Sequence, residues 1–200
     1  MGTMISPVIN ILIRHKEGRE VSYYKALQSI FAQTYLNYRI IVGYDFASSH
    51  FSIPGNVFDV FLKADKSLGS FFYNDYCNKL KSHVTEGWFF FLDDDDFLAT
   101  NTVLEELSKH LDDSCEAVIC QMRRDNGRVK PSDQHIACSM VISGKIGMPC
   151  LVLHSNHKHF ADIKAVENGD FLWIKEVTDK VPTKFINQVV VHSPCRNFGR

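Results

Sequence analysis

Trp88-Phe89-Phe90-Phe91-Leu92-Asp93-Asp94-Asp95-Asp96 is the stretch of sequence that decides the fold. Its five apolar residues are too few for a typical helix and offer no polar face, so they predict a strand that is buried on both sides. The strand then stops at four carboxylates. Because side chains alternate along an extended chain, we expect Asp93 and Asp95 to point one way, and Asp94 and Asp96 the other.

Like charges at this spacing repel one another and require a positive partner. Hard divalent cations such as Mg²⁺ or Mn²⁺ bind carboxylate oxygens and keep positions open for water or substrate phosphates. The acidic run therefore indicates a metal and phosphate site at the carboxyl end of the strand. The alternative is a solvated acidic turn, and the buried strand that precedes the run favours the metal site.

The composition is that of one globular domain. The 200 residues are 45% hydrophobic, which is enough for a sizeable core, and the net charge of -1 argues against nucleic acid or an anionic membrane as the partner. The six cysteines include no C-x-x-C pair, and no apolar segment approaches the roughly 18 to 20 residues of a membrane span. We therefore expect reduced thiols, no membrane span and a cytoplasmic location.

The first half of the chain alternates strand and helix patterns. Strands are predicted at 8–13, 38–44 and 57–62, and helices at 20–31 and 69–84. This alternation predicts an α/β domain with a mostly parallel central sheet flanked by helices, in which ligands bind at the carboxyl ends of the strands. Arg14, Asp45 and the acidic run all lie at such ends, so we expect them to meet at one rim. The basic sequence Arg14-His15-Lys16 could face a diphosphate.

The second half continues with a helix from residue 102, where Thr102 and Glu105 have capping-box spacing. Strands are predicted at 117–122, 136–142 and 183–191, and a helical pattern runs over 159–177. Within that pattern, Gly169 frees the backbone and Asp170 opens a helix. A carboxylate there can serve as an N-cap, which is the commoner role, or as a general base.

Three histidines, His154, His157 and His159, lie within six residues. They could bind zinc, but their spacing matches no closed set of four ligands and no cysteine lies nearby in sequence. A surface loop near the mouth of the substrate site is the favoured interpretation.

Two motifs carry a resemblance to a known family. Ser29-Ile30-Phe31-Ala32-Gln33-Thr34-Tyr35 matches an S-h-x-x-Q-T-Y pattern, in which h is apolar, and Phe91 to Asp96 matches F-L-D-x-D-D. With the strand and helix order, they make the chain resemble a family 2 glycosyltransferase of the GT-A fold over nearly its whole length. The resemblance implies a single Rossmann-like GT-A domain over 1–200, with a nucleotide-sugar-binding half at 1–96 and an acceptor-binding half at 97–200.

The resemblance also assigns roles to residues. Asp45 is similar to the aspartate that contacts uracil, Asp93 would contact the ribose or a metal-bound water, and Asp95 would bind the Mn²⁺ or Mg²⁺ that holds the donor diphosphate. The implied donor-binding residues are Arg14, Asp45, Asn74, Asp93 and Asp94, and the implied metal ligands are Asp95, Asp93 and His192, with Asp96 behind them. Asp170 would be the catalytic base, but Gly169 replaces the glutamate of the family's E-D pair, so Glu167 is the alternate base.

The activity implied is metal-dependent transfer of a sugar, in an inverting reaction, from a UDP-hexose to a hydroxyl of a glycan or glycoprotein acceptor. The Q-x-x-R-W motif of processive synthases is absent, which makes the chain similar to compact, non-processive enzymes of large DNA viruses or bacterial surface-glycan clusters; a viral enzyme would work in the host cytoplasm. Two alternatives remain open: a sugar nucleotidyltransferase, and a non-catalytic module that binds nucleotide or glycan on the same fold.

Overall fold

The run from Trp88 to Leu92 forms the centre of the sheet. The computed structural model describes residues 6–45, 57–63 and 65–194, and in it strand β4 (Trp88–Asp93) has no side chain more than 4% exposed between Trp88 and Leu92. One neighbour is the parallel strand β1 (Ile9–Arg14), and the other is the antiparallel strand β8 (Leu151–His154). The predicted buried strand is confirmed.

The sheet is parallel in its first half and mixed in its second. The remaining strands are β2 (Tyr38–Tyr44), β3 (Val57–Phe61), β5 (Phe97–Leu98), β6 (Ala117–Arg124), β7 (Val129–Lys130) and β9 (Thr183–Ser193). The strand order is β3-β2-β1-β4-β8-β6-β9-β5, with β7 paired to β6. Strands β3, β2, β1 and β4 are parallel, as predicted, whereas β8 runs antiparallel to both of its neighbours. The carboxyl ends of β1, β2 and β4 therefore share one rim.

Five α-helices are described along this sheet: α1 (Glu20–Phe31), α2 (Tyr73–Ser82), α3 (Val103–Ser108), α4 (Asp133–Ala137) and α5 (Gly169–Lys180). The strand predicted at 136–142 is wrong, because Ser132 caps a short helix there by accepting a hydrogen bond from the His135 amide. A short apolar run does not separate strand from helix, and the Ser-Asp start signal decided it. The helical pattern predicted over 159–177 becomes a helix only at Gly169. None of the described helices has the length and hydropathy of a bilayer-spanning segment.

The Ser29 to Tyr35 motif connects the end of α1 to the start of α3 through hydrogen bonds of Gln33. Gln33 is buried, and its side-chain amide donates to the Thr100 carbonyl at 2.7 Å and accepts from the Leu104 amide at 3.1 Å. Gln33 thus satisfies an amide in the first turn of α3, where the Thr102 side chain makes no capping bond. The predicted capping box is wrong, because a residue 71 positions away from Leu104 supplies the cap.

Removal of a central β4 side chain is expected to destabilise the whole domain. Phe90 is 0% exposed, so Phe90→Ala is expected to lower the free energy of unfolding by about 3 to 5 kcal/mol, since it leaves a cavity in a close-packed core. Urea denaturation followed by far-UV circular dichroism measures this loss. Phe58→Ala is the matched control, because Phe58 is 57% exposed on β3. Equal losses in the two variants would contradict the central place of β4.

Candidate active site

The parallel register of β1 and β4 places Arg14 directly beside Asp93. The Arg14 guanidinium donates to Asp93 Oδ1 at 2.7 Å and to the carbonyl of Tyr73 at 3.2 Å. It also lies over the Tyr73 ring, 5.1 Å from the ring centre. A cation and a carboxylate from neighbouring strands are therefore held together at the rim by the first residue of α2.

Asp94 anchors the loop between β1 and α1. It is 1% exposed, and its carboxylate accepts from the Lys16 amide and from Arg19 Nη1, both at 2.8 Å. His15 Nδ1 lies 3.3 Å from the same carboxylate. A buried charge with this many partners is satisfied, so Asp94 fixes the loop that carries the basic residues.

Asp93 and Asp95 are the partly exposed members of the acidic run, with side chains 26% and 20% exposed. Asp94 and Asp96 are buried, so exposure alternates as the sequence predicts. Arg19 lies 3.5 Å from Asp95. Burial, together with the charges of Asp93 and Asp95, raises the pKa of Asp96 to about 8. Burial beside these two carboxylates thus favours the neutral form of Asp96.

Asp93 and Asp95 are two side chains of this rim that could hold a hard divalent cation. Asp93 and Asp95 present two carboxylates on one tight turn, in which the Asp96 amide donates to the Asp93 carbonyl at 3.0 Å. The described part of the chain contains no group of three or more acidic, histidine or cysteine side chains that could hold a metal. Mg²⁺ commonly binds through one or two carboxylates and completes its coordination with water and substrate phosphates, so two carboxylates suffice.

Asp45 follows β2 directly and is oriented by α2. The Tyr76 hydroxyl donates to Asp45 Oδ2 at 2.5 Å. Burial and this hydrogen bond raise the pKa of Tyr76, so the tyrosine remains a neutral donor. One oxygen of an exposed carboxylate is thereby fixed, and the carboxylate faces the same rim as Arg14.

Asp170 lies in the first turn of α5, and the helix begins at Gly169 with Asn168 as its N-cap residue. Asp170 is therefore not the N-cap itself. Burial raises the pKa of the Cys77 thiol to about 11; the Arg14 guanidinium opposes this shift, and the carboxylates of Asp93 and Asp170 add to it. The start of α5 lies next to the start of α2, because Gly169 packs against Asn74, and the carbonyl of the preceding residue, Tyr73, accepts from Arg14.

Asn74 on α2 packs against the start of α5. It is 4% exposed, and its amide donates to the Lys164 carbonyl at 2.8 Å. A Cβ at Gly169 would lie 2.1 Å from that carbonyl and 2.8 Å from Asn74 Nδ2. Position 169 therefore has no room for a side chain, and the glutamate of an E-D pair cannot stand there. The alternate base, Glu167, is exposed two residues earlier.

His192 on β9 makes its contacts at the far side of the acidic run. Its Nε2 lies 2.7 Å from Asp125 Oδ1, and its ring stacks on Phe97 with 4.7 Å between ring centres. An open cavity of about 420 Å³ borders this region, and its lining includes Asp95 and Phe97, with Arg19, Val21 and Lys25 from the start of α1 and the loop before it. The Phe97 ring thus lies between His192 and the cavity that Asp95 lines.

The three clustered histidines have separate surroundings. His154 packs edge-on against the Trp88 ring and accepts from the Asn156 amide. His157 contacts the Glu116 carboxylate, and His159 is exposed. The role of the cluster in zinc binding stays a hypothesis without geometric support among the described residues.

Four residues of this rim were not predicted from the sequence as site residues: Arg19, Tyr73, Tyr76 and Cys77. Arg19 continues the basic sequence that starts at Arg14, so its charge was a usable signal. Tyr73 and Tyr76 belong to an amphipathic pattern, and nothing in that pattern distinguishes a tyrosine that packs in the core from one that orients a carboxylate.

The chain is similar to known proteins in structure and not in sequence. No family model and no curated protein sequence matches the chain. Solved structures do match: S. aureus TarS 1-349 has a TM-score of 0.72 at 12% identity, over 93% of this chain and 60% of that one. The mannosyltransferase PcManGT from Pyrobaculum calidifontis, in complex with GDP-Man and Mn²⁺, has a TM-score of 0.69 at 12% identity, over 98% of this chain and 59% of that one.

TarS 1-349 has also been solved with UDP and with UDP-GlcNAc, and the latter structure matches at a TM-score of 0.69 and 14% identity. The chain spans about 60% of the length of these proteins. At such identities the likeness establishes the fold: a mixed α/β domain of GT-A type, with a curled central sheet flanked by helices.

Proposed function

We propose that the chain is a family 2-type glycosyltransferase that moves a hexose from a UDP-sugar to a hydroxyl of a glycan or glycoprotein, with inversion. The observation that carries this proposal is the Arg14–Asp93 ion pair on the rim where Asp45 also lies, with Gly169, the residue before Asp170, packed against Asn74 on α2. A cation, a carboxylate beside it and a separate carboxylate at a helix start are what transfer from a diphosphate requires.

The neighbouring structures support the proposal by what they bind. TarS 1-349 was solved with UDP and UDP-GlcNAc, and the mannosyltransferase with GDP-Man and Mn²⁺. We assign residues 1–96 to donor binding and 97–200 to acceptor binding, because the ends of β1, β2 and β4 precede residue 97 and Asp170 follows it. A cytoplasmic location is proposed because the five described cysteines are free thiols.

In the proposed reaction, Asp45 accepts a hydrogen bond from a base N–H, while Tyr76 holds the carboxylate in place. Arg14 pairs with the donor diphosphate, and Asp93 and Asp95 would hold Mn²⁺ or Mg²⁺. When bound, the cation supplies charge neutralisation for the departing diphosphate. The oxygen of the acceptor hydroxyl attacks the anomeric carbon while Asp170 takes the hydroxyl proton. The new glycosidic bond forms as the bond from the anomeric carbon to the diphosphate breaks.

Calorimetric titration of UDP tests the donor site. We expect saturable binding with Mn²⁺ present and at least about tenfold weaker binding with a chelator instead, because the carboxylates of Asp93 and Asp95 repel an uncompensated diphosphate. Titration of GDP under the same conditions is the control for the base. Absence of UDP binding in both conditions would contradict the proposal.

The reaction itself is tested with a panel of UDP-sugars, in which release of UDP and the configuration of the product are followed by nuclear magnetic resonance. Transfer or slow hydrolysis supports the enzyme. UDP binding without any turnover across the panel would instead favour the binding module, and turnover that depends on pyrophosphate would favour the nucleotidyltransferase.

A further inference from the structure

Three polar side chains on one face of α2 reach across to a single loop. Asn74, Asn78 and Lys81 are spaced by four and three residues, so they lie in a row along the helix. All three contact main-chain atoms of residues 161–164, the segment that leads into α5. We call these three side chains and this segment the α2 clamp.

Asn78 makes the most specific contact of the α2 clamp. Its Nδ2 donates to the Ile163 carbonyl at 3.0 Å, and its Oδ1 accepts from the Ile163 amide at 2.9 Å. The side chain thus satisfies both main-chain groups of one residue, as a neighbouring strand would. Asn74 adds the bond to the Lys164 carbonyl. The contact fixes the path of the loop as well as its distance from α2.

Lys81 is the buried charge of the α2 clamp. Its side chain is 1% exposed; the ammonium donates to the Ala161 carbonyl and lies 3.0 Å from Asp162 Oδ1. It also lies 5.9 Å from the centre of the Trp173 ring on α5. Burial lowers the pKa of Lys81, and the ion pair contributes little net stability because the Asp162 side chain is 78% exposed to solvent. Its contacts serve instead to specify where the loop and α5 lie.

The clamp continues to the start of α5. Position 169 packs against the Lys164 carbonyl and the Asn74 amide so closely that only glycine fits, and Asp170 is the next residue. The first turn of α2, which contains Asn74, also contacts the donor side of the rim, because the Tyr73 carbonyl accepts from Arg14 and Tyr76 donates to Asp45. One helix therefore contacts both halves of the candidate site.

We infer that the α2 clamp sets the position of Asp170 relative to the donor, and that Asn78 and Lys81 are positioning residues for the transfer step. The inference rests on the proposed function. A misplacement of about 1 Å costs up to about 100-fold in rate. Asn78 acts on α5 through the loop, and Lys81 acts through the loop and the Trp173 ring.

The test compares Asn78→Ala and Lys81→Met with the exposed control Lys175→Met on α5, whose lysine pairs with Asp179. We expect about a 10- to 100-fold lower kcat in the two clamp variants, with the affinity for UDP and Mn²⁺ within about twofold of wild type. Lys81→Met removes the buried charge and keeps a side chain of similar volume. A lower kcat in this variant is therefore not expected to result from misfolding. Hydrogen exchange is expected to rise in a peptide spanning 161–172 and to stay unchanged in α1.

A second arm places Asn78→Ala in the Asp170→Asn background. If Asn78 acts through Asp170, its effect on the residual rate falls to less than about twofold, because the base that it positions is already absent. An undiminished effect there would overturn the inference, as would a wild-type kcat in both clamp variants while the wild-type enzyme is active. A wild-type protein without transfer or hydrolysis would remove the proposed function and the inference with it.

Discussion

The Asp170→Asn variant is expected to transfer sugar about 10²- to 10⁴-fold more slowly than the wild type while it binds UDP with unchanged affinity. The amide has the shape of the carboxylate but cannot accept the proton of the acceptor hydroxyl, and general-base catalysis contributes a factor of this size. Asp170 belongs to α5 and is not among the residues, Arg14 and Asp45 included, that we assign to donor binding. Single-turnover rates and UDP titration separate the two effects.

Glu167→Gln is the matched control for this result. Glu167 is exposed, lies three residues before Asp170 and is the other carboxylate that the sequence offers as a base. We expect its substitution to leave the rate within about twofold of wild type, as for most surface positions away from the chemistry. A slow Glu167→Gln variant beside a fully active Asp170→Asn variant would move the base to Glu167.

The Asp95→Asn variant is expected to lose the Mn²⁺-dependent part of UDP binding, at least about tenfold, because loss of a metal ligand costs at least as much as the 10- to 100-fold cost of an altered outer-shell partner. Its thermal stability is expected to stay close to wild type, since the side chain is partly exposed. Calorimetry with and without Mn²⁺ measures the first quantity, and a thermal melt measures the second.

The control is Asp113→Asn, which removes an exposed carboxylate outside the rim. It separates loss of a ligand from loss of one negative charge. Full Mn²⁺-dependent binding by Asp95→Asn would remove the metal assignment from this residue, and Asp93→Asn would then be the variant to titrate.

Features encoded locally were predictable from the sequence. The Trp88 to Leu92 run specified a buried strand by its own composition, and the apolar runs before it specified the parallel strands β1, β2 and β3. Their order along the chain also placed Arg14, Asp45 and the acidic run at carboxyl ends, so the rim could be assembled without coordinates.

What could not be predicted depends on pairs that are distant in sequence. Asn74 meets Lys164 across 90 residues, and Gln33 caps α3 across 71. No periodicity marks such partners, because their contact is set by how helices and loops pack on the finished sheet. The position of the antiparallel strand β8 between β4 and β6 also depends on distant partners. The pattern of a short apolar segment does not indicate whether its strand pairs parallel or antiparallel to its neighbours.

The ion pairs of Arg14 with Asp93, and of Arg19 with Asp94 and Asp95, have a kinetic consequence for the proposed enzyme. A bare divalent cation must compete with guanidinium groups that already pair with these carboxylates, so it gains less by entering alone. A cation that arrives with a diphosphate offers the arginines a new anionic partner. The cation and the nucleotide are therefore expected to enter as one complex, and the rate of productive encounter should follow the concentration of that complex.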